Sequence, residues 1–373
     1  MSSSNVLPHE AISRLKKLAS ALIDQEKARI VVPPKRSADG YWFGGGNLAE
    51  DSEGIFYLSG RYRNAGDSRT GLGAGERGLE LAIFRSADRG RSFEPVVTMK
   101  KAELGRPGRE VISIEGSALH FGKGGVELFV SSEKGGIPYP ENLERFRKPG
   151  TGIWTIDVTA ASRPEELSPD GLTSLFESND PAHLHVKDPH LYRTARGEDV
   201  AVFCSHPFNW SSSNSCYAVR PRGGSEFGKP RYGFFARGFA WDVAMSRITG
   251  TLPVPRVGRF RELPPLILFF YDGGESVRKY EEHAEAVRRP RGYSCEELGG
   301  LALSLAGGEP EPERISTLFP SFVSPYGTGS SRYVRTLTTK EGIYATWQQS
   351  QKDRSQPLVM NFLSNEQVGE LLA

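Results

Sequence analysis

From about residue 40 onward the chain runs in short apolar stretches separated by turns rich in Gly, Asp, Asn and Lys. Residues 186–192 (VKDPHLY) open one such stretch; a turn follows at 194–199 and an apolar run at 200–204. The same layout recurs at 45–49 with 55–59, 114–119 with 126–131, 241–245 with 265–271, and 333–335 with 343–347. Short apolar runs bounded by turn residues predict strands, and a repeated strand–turn–strand unit predicts propeller blades. The expected fold is all-β, a five-bladed β-propeller rather than a six-bladed one. Ahead of it, residues 9–28 place Ile12, Leu15, Leu18, Ala19 and Leu22 at helical spacing. That pattern predicts an amphipathic helix docked on the outside of the main domain.

The expected division is 1–39, helix and connector (31–39, with two prolines), and 40–373, a β-propeller catalytic domain. The fourth blade is expected to open at 239–248, and the fifth to borrow a strand from near residue 40. The spacing exceeds the usual ~40–50 residues of a propeller repeat. The excess falls in loops 63–78, 133–151, 205–215 and 272–300, which join second to third strands. In a four-stranded blade these loops share a face with the start of the first strand. Long loops not needed for connection usually carry function.

Composition agrees with many short strands: 42 Gly, 25 Pro and 10% aromatic residues. A net charge of +2 without a Lys/Arg block gives no reason to expect nucleic acid. Three scattered cysteines (Cys204, Cys216, Cys295) form no disulfide framework and no CxxC pair. The opening MSSSNVLPHE has no apolar core of a signal peptide, and no run is apolar enough to span a bilayer. A cytoplasmic protein with no membrane partner is expected.

Three of the hairpins open on a carboxylate: Glu115, Asp188 and Asp242. In a propeller, acids at matching first-strand positions would converge on the axis. Glycosyl transfer needs one carboxyl that hands a proton to the leaving oxygen and one ionised carboxylate as base or nucleophile. A third acid nearby can raise the donor's pKa. Glu296 and Glu297, in the 272–300 loop, are alternative acids, with Arg289 and Arg291 as competing ion-pair partners. Arg61, Arg63, Arg69 and Arg77 crowd the first long loop, and Arg332 and Arg335 lie near the mouth of the fifth blade. The guanidinium fork suits carboxylate, sulfate or phosphate, so an anionic sugar would explain them; neutralising local acids is the other reading. His183, His185, His190 and His206 cluster around the third blade. His183-x-His185 could be half of a metal site completed by His206 or Asp188, or these rings could line a sugar pocket. No cofactor is expected, with Ca²⁺ or Zn²⁺ in the funnel left open. Trp42, Phe43, Tyr139, Phe208, Trp210 and Trp241 could stack on sugar rings or pack the funnel.

Two motifs carry a resemblance. Ser86-Ala87-Asp88-Arg89-Gly90-Arg91-Ser92-Phe93 fits the Asp box of sialidase-type propellers, a structural turn between third and fourth strands. Lys187-Asp188-Pro189 resembles the Asp-Pro motif, and Glu115-Gly116 the Glu-Gly-Pro motif, of five-bladed glycosidases such as glycoside hydrolase families 43 and 32. Ser117 replaces the proline, and the order along the chain is Glu, Asp, Asp where that family has Asp, Asp, Glu. Gly45 stands where the first blade's acid would be. Cys295-Glu296 is similar to the Glu-Cys pair of family 32, reversed. The resemblance implies Glu115 as proton donor and Asp188 as the acid that tunes it and binds sugar, leaving Asp242 as base or nucleophile. Arg61, Arg63, Arg69, His190, His206, Trp210, Trp241 and Arg332 are the expected substrate contacts. The expected function is hydrolysis of a terminal or small glycoside, including an anionic one. The competing readings are a glycan-binding or scaffold propeller, and a sialidase-like enzyme or polysaccharide lyase on an acidic sugar, with His190 and Tyr192 available to a lyase.

Overall fold

The computed structural model describes residues 7–64, 78–122, 124–147, 150–275, 297–307 and 309–373. Within them, strands form five sheets arranged as the five blades of a β-propeller. The first strand, β1 (Arg29–Val32), belongs to the last blade. Blade one follows, with an inner strand broken into β2 (Trp42–Gly44) and β3 (Leu48–Glu50), then β4 (Phe56–Arg63), β5 (Glu80–Ser86) and β6 (Glu94–Lys100). Blade two is β7 (Val111–Gly122), β8 (Gly125–Lys134), β9 (Ile153–Ala161) and β10 (Thr173–Phe176). Blade three is β11 (His185–Arg193), β12 (Asp199–His206), β13 (Asn214–Arg220) and β14 (Arg231–Phe235). Blade four is β15 (Met245–Pro253), β16 (Leu266–Gly274), β17 (Leu298–Leu305) and β18 (Glu313–Arg314). Blade five is β19 (Ser331–Thr338), β20 (Gly342–Gln349) and β21 (Leu358–Ser364), completed by β1.

All neighbouring strands within a blade are antiparallel, as four-stranded meanders require. Second strands are buried on both faces, which explains their unbroken apolar runs at 200–204 and 266–271. The core divides into slabs between blades. Phe43, Phe56 and Phe84 of blade one meet Tyr344 and Met360 of blade five. Phe129 and Ile156 of blade two meet Phe203 and Cys216 of blade three. Each slab buries one face of two sheets, so no blade is stable alone.

Ring closure differs from the expected borrowing near residue 40. Arg29 and Ile30 pair with Met360 and Val359, so the segment expected to start a connector supplies the outermost strand of blade five. Residues from both ends of the described chain therefore share one sheet, which forecloses the edges of an open ring. The expected helix is present as α1 (His9–Leu22), with Leu15, Leu18, Ala19 and Leu22 buried against blades four and five. After the short helix α2 (Lys101–Leu104), the chain ends in a third, α3 (Asn365–Leu372), which packs on α1. Ser364 caps α3 by accepting from the Gln367 amide (3.2 Å), and Gln367 accepts from the Ser364 amide (2.9 Å).

The turn at 86–93 joins β5 to β6. Asp88 accepts hydrogen bonds from the Ser92 amide (2.9 Å), the Ser92 hydroxyl (2.6 Å) and the Ser86 hydroxyl (2.8 Å). These bonds hold its carboxyl well below the usual Asp range. No helix among the described residues is long and apolar enough to cross a membrane.

Candidate active site at the propeller axis

Each inner strand is irregular where it nears the axis. Register shifts fall between Ile114 and Ser117 in β7, Lys187 and His190 in β11, Ile248 and Gly250 in β15, and Arg332 and Arg335 in β19. Blade one breaks at the same level, at Gly45 between β2 and β3. Such bulges re-aim side chains that a regular strand would send to alternate faces. Two non-glycine residues there adopt left-handed backbone, Asp188 (φ 58°) and Tyr333 (φ 56°). Strain of this kind costs on the order of 1–3 kcal/mol and persists only where the surroundings hold it.

At Asp188 the surroundings are specific. Its Oδ1 accepts from the Gly116 amide of blade two at 3.0 Å. A Cβ on Gly116 would sit 2.6 Å from that oxygen, so glycine beside Glu115 is what lets the two strands meet. Oδ2 accepts from Arg247 Nη1 of blade four at 2.9 Å, and Tyr333 of blade five reaches it at 3.4 Å. Ser131 Oγ accepts from the Asp188 amide at 3.1 Å. Four blades thus meet on one buried carboxylate. Burial opposes its ionisation, but Lys187, Arg247 and Arg61 outweigh burial and hold it well below the usual Asp range.

From Asp188 a chain of alternating charges extends both ways. Lys187 Nζ lies 3.7 Å from Asp188 and 3.9 Å from Glu115. Glu115 also faces Arg61 Nη2 (3.5 Å) and accepts from Ser113 Oγ (3.1 Å). On the other side, Arg247 Nη2 bonds Asp272 (2.7 Å) and Glu297 (2.6 Å), and Arg332 Nη1 bonds Glu297 (2.7 Å). The Tyr333 amide caps Asp272 at 3.0 Å. Burial, reinforced by Glu297, raises Asp272 to about 6 against the pull of Arg247. Glu297 is opposed by burial but held well below its usual range by Arg247 and Arg332. Burial pushes the Tyr333 phenol up to about 12. Most of this frame is buried, whereas the side chains of Glu115 (14%), Lys187 (14%) and Glu297 (22%) remain partly exposed.

Aromatic groups flank the frame. Arg63 and Arg332 each lie 4.2 Å from the Trp42 ring, one from blade one and one from blade five. Trp210 packs on His206 (4.2 Å) and His185 (4.5 Å), with Lys187 Nζ 5.6 Å from its ring.

The structure brings Glu115, Asp188, Arg61, Arg63, Arg332, His206 and Trp210 into this region. His190 lies deeper, bonded to Thr251 at 2.9 Å. Asp242 and Trp241 do not join the frame. Asp242 is buried between blades three and four, accepting from Tyr271 Oη (3.0 Å) and Arg314 Nε (2.5 Å). Trp241 donates to the Ser316 carbonyl (3.2 Å) and packs on Tyr271 (5.5 Å). The expected blade-four strand at 239–248 is displaced: β15 begins at Met245, so Arg247 takes the inward position. Glu296, Arg69 and Arg77 lie outside the described residues, as do Cys295, Arg289 and Arg291. His183 stacks on Tyr232 (4.0 Å) and bonds Ser205, while His185 packs between Trp154 and Trp210, so they do not share a ligand face. Among the described residues no three His, Cys, Asp or Glu side chains are placed to hold a metal ion.

Arg247 and Asp272 were missed from sequence. Arg247 stands in Ser-Arg-Ile-Thr-Gly-Thr, where Arg and Gly argue against an inner strand. Asp272 ends the strongest apolar run in the chain, at the same end as Arg61 and Arg63 in β4, and that strand-end position was the available signal.

No protein-family model and no curated protein matches the chain in sequence. Its fold matches solved structures. An α-L-arabinofuranosidase from Lactobacillus brevis superposes with a TM-score of 0.54 at 9% identity, covering 92% of this chain and 93% of the other. The RS223 β-xylosidase gives 0.55 at 11% identity, covering 91% and 95%. A GH43_1 enzyme from Xanthomonas citri complexed with xylotriose gives 0.51 at 10% identity, covering 94% and 93%. The chain thus has the five-bladed propeller fold of glycoside hydrolase family 43 structures, over nearly its full length.

Proposed function

We propose that this chain is a glycoside hydrolase acting at the axial frame on a terminal or small glycoside that carries an anionic group. The observation that carries the reading is the linkage of two partly exposed carboxylates through a buried ionised one. Lys187 ties Glu115 to Asp188, and Arg247 ties Asp188 to Glu297. Two carboxylates in different surroundings flanking a site are the equipment glycosyl transfer requires.

In this mechanism Glu115 gives its proton to the departing glycosidic oxygen as the C–O bond breaks. Glu297, held ionised by Arg247 and Arg332, takes the place first expected of Asp242. It either bonds to the sugar carbon or takes a proton from the attacking water. Asp188 stays ionised and fixes the frame and the sugar hydroxyls. Arg61, Arg63 and Arg332, with the stacked Trp42 between two guanidiniums, would meet the anionic group.

The test is release of product from aryl glycosides, aryl uronides, sialosides and uronate oligosaccharides by wild type, Glu115→Gln and Glu297→Gln. Release by wild type that falls at least 100-fold in both variants is expected; general acid–base catalysis contributes typically ~10²–10⁴-fold.

One observation favours a binding propeller instead. The position of a first-blade acid is closed: a Cβ on Gly45 would lie 2.3 Å from Arg61 Nη1, and that guanidinium donates to the Gly44 carbonyl (3.0 Å). Binding of the same sugars by wild type without release from any of them would establish that reading.

A further inference from the structure

Beneath the frame, blade five sends a second arginine into the axis. Arg335 is 2% exposed. Its Nη2 donates to the Pro189 carbonyl at 2.8 Å, gripping the peptide that follows the strained Asp188. Its Nε and Nη1 are buried and meet no acceptor among the described residues. The other cations of the frame each face a carboxylate: Arg61 and Lys187 face Glu115, Arg247 faces three acids, and Arg332 faces Glu297. Arg335 has none.

Burying a charge without a partner costs several kcal/mol, and a guanidinium carries five donors that need acceptors. The nearby hydroxyls are already engaged. Thr251 is engaged by His190 (2.9 Å), and the Thr336 hydroxyl is spent on the Thr251 carbonyl (2.7 Å). Burial, then the Arg335 charge, pushes His190 well below its usual range, so it stays neutral.

We infer that Arg335 holds a small monovalent anion of the chloride class in the propeller axis, directly below the Asp188–Pro189 bulge. The anion supplies the missing acceptor for Nε and Nη1 and, through Arg335 and the Pro189 carbonyl, steadies the bulge that aims Asp188. The site is separate from the proposed sugar site and does not depend on turnover.

The experiment is thermal unfolding of the full chain at constant ionic strength, with chloride replacing gluconate. A saturating rise in midpoint of a few degrees is expected, the size that ligand at ~100 times its Kd gives a protein of this length. Arg335→Met should abolish the dependence. A midpoint indifferent to chloride, or a dependence that survives in Arg335→Met, overturns the inference. Should that variant fail to fold, crystals of the wild type grown in bromide decide. An anomalous peak within hydrogen-bond distance of Arg335 Nε or Nη1 supports the site, and no peak there overturns it.

Discussion

Asp188 and Asp242 look alike in sequence and end in different places. Both precede an apolar stretch, both are fully buried, and both pair with an arginine. Asp188 sits inside its inner strand, on a bulge with φ 58°, and touches residues from four blades. Asp242 precedes its inner strand and is held locally, its Oδ2 accepting from Tyr271 of its own blade and from Arg314 on the outermost strand. An acid near a strand start therefore does not reach a propeller axis by position alone. It needs the bulge that turns it inward and a small residue on the next blade, here Gly116, that lets it arrive.

The largest effect that sharpens this contrast is expected from Arg247→Met. Arg247 is 1% exposed and bridges Asp188, Asp272 and Glu297. Its loss leaves buried carboxylates facing one another, and a fall in unfolding free energy of about 3–5 kcal/mol is expected from denaturant midpoints. Next is Glu115→Gln, expected to retain the wild-type unfolding midpoint within ~1 kcal/mol while turnover falls at least ~100-fold. Asp242→Asn should behave in the opposite sense. Loss of the Arg314 pair lowers stability by about 1–3 kcal/mol, and turnover stays within about threefold. A catalytic collapse in that variant would break the comparison.

The smallest effect is in pH dependence. Asp272 has its pKa raised by burial from the ordinary Asp value to about 6. The folded chain therefore binds a proton that the unfolded chain releases between about pH 4 and 6. Asp272 thus favours the folded state most below this window, and its contribution declines as pH rises through it. Asp188 works the other way: its depressed pKa contributes stability above the ordinary Asp value that is lost as pH falls. Asp272→Asn should remove the decline between pH 4 and 6, measured as chemical stability against pH, and leave the acid-side loss in place.

Much of the fold was legible because a propeller repeats one simple signal. Apolar second strands such as 200–204, bounded by turns, identify each hairpin without knowledge of its neighbours. Blade four was misplaced because its inner strand carries Arg247 and Gly250, which local propensity counts against a strand. Only the carboxylates of three other segments make Arg247 suitable there, and those are contacts at long sequence separation. The closing strand was missed for a similar reason: Arg29–Val32 is too short to signal a strand until β21 lies beside it. The final helix, in contrast, carries a readable signal, the Ser-x-x-Gln capping box at 364–367. At the candidate site, the placement of Glu115 and Asp188 near the axis was legible from their Gly and Pro neighbours, whereas that of Asp272 was hidden at the end of an apolar run.

The most direct measurement compares Asp188→Asn with Asp242→Asn on whichever glycoside the wild type cleaves, with unfolding midpoints recorded for both. The account predicts that Asp188→Asn loses turnover by at least ~100-fold while still folded, because misplacing the reacting groups by about 1 Å alone can cost ~10²-fold, and that Asp242→Asn keeps turnover and loses stability. Turnover that survives Asp188→Asn but disappears in a folded Asp242→Asn would contradict the placement of the active site at the axis.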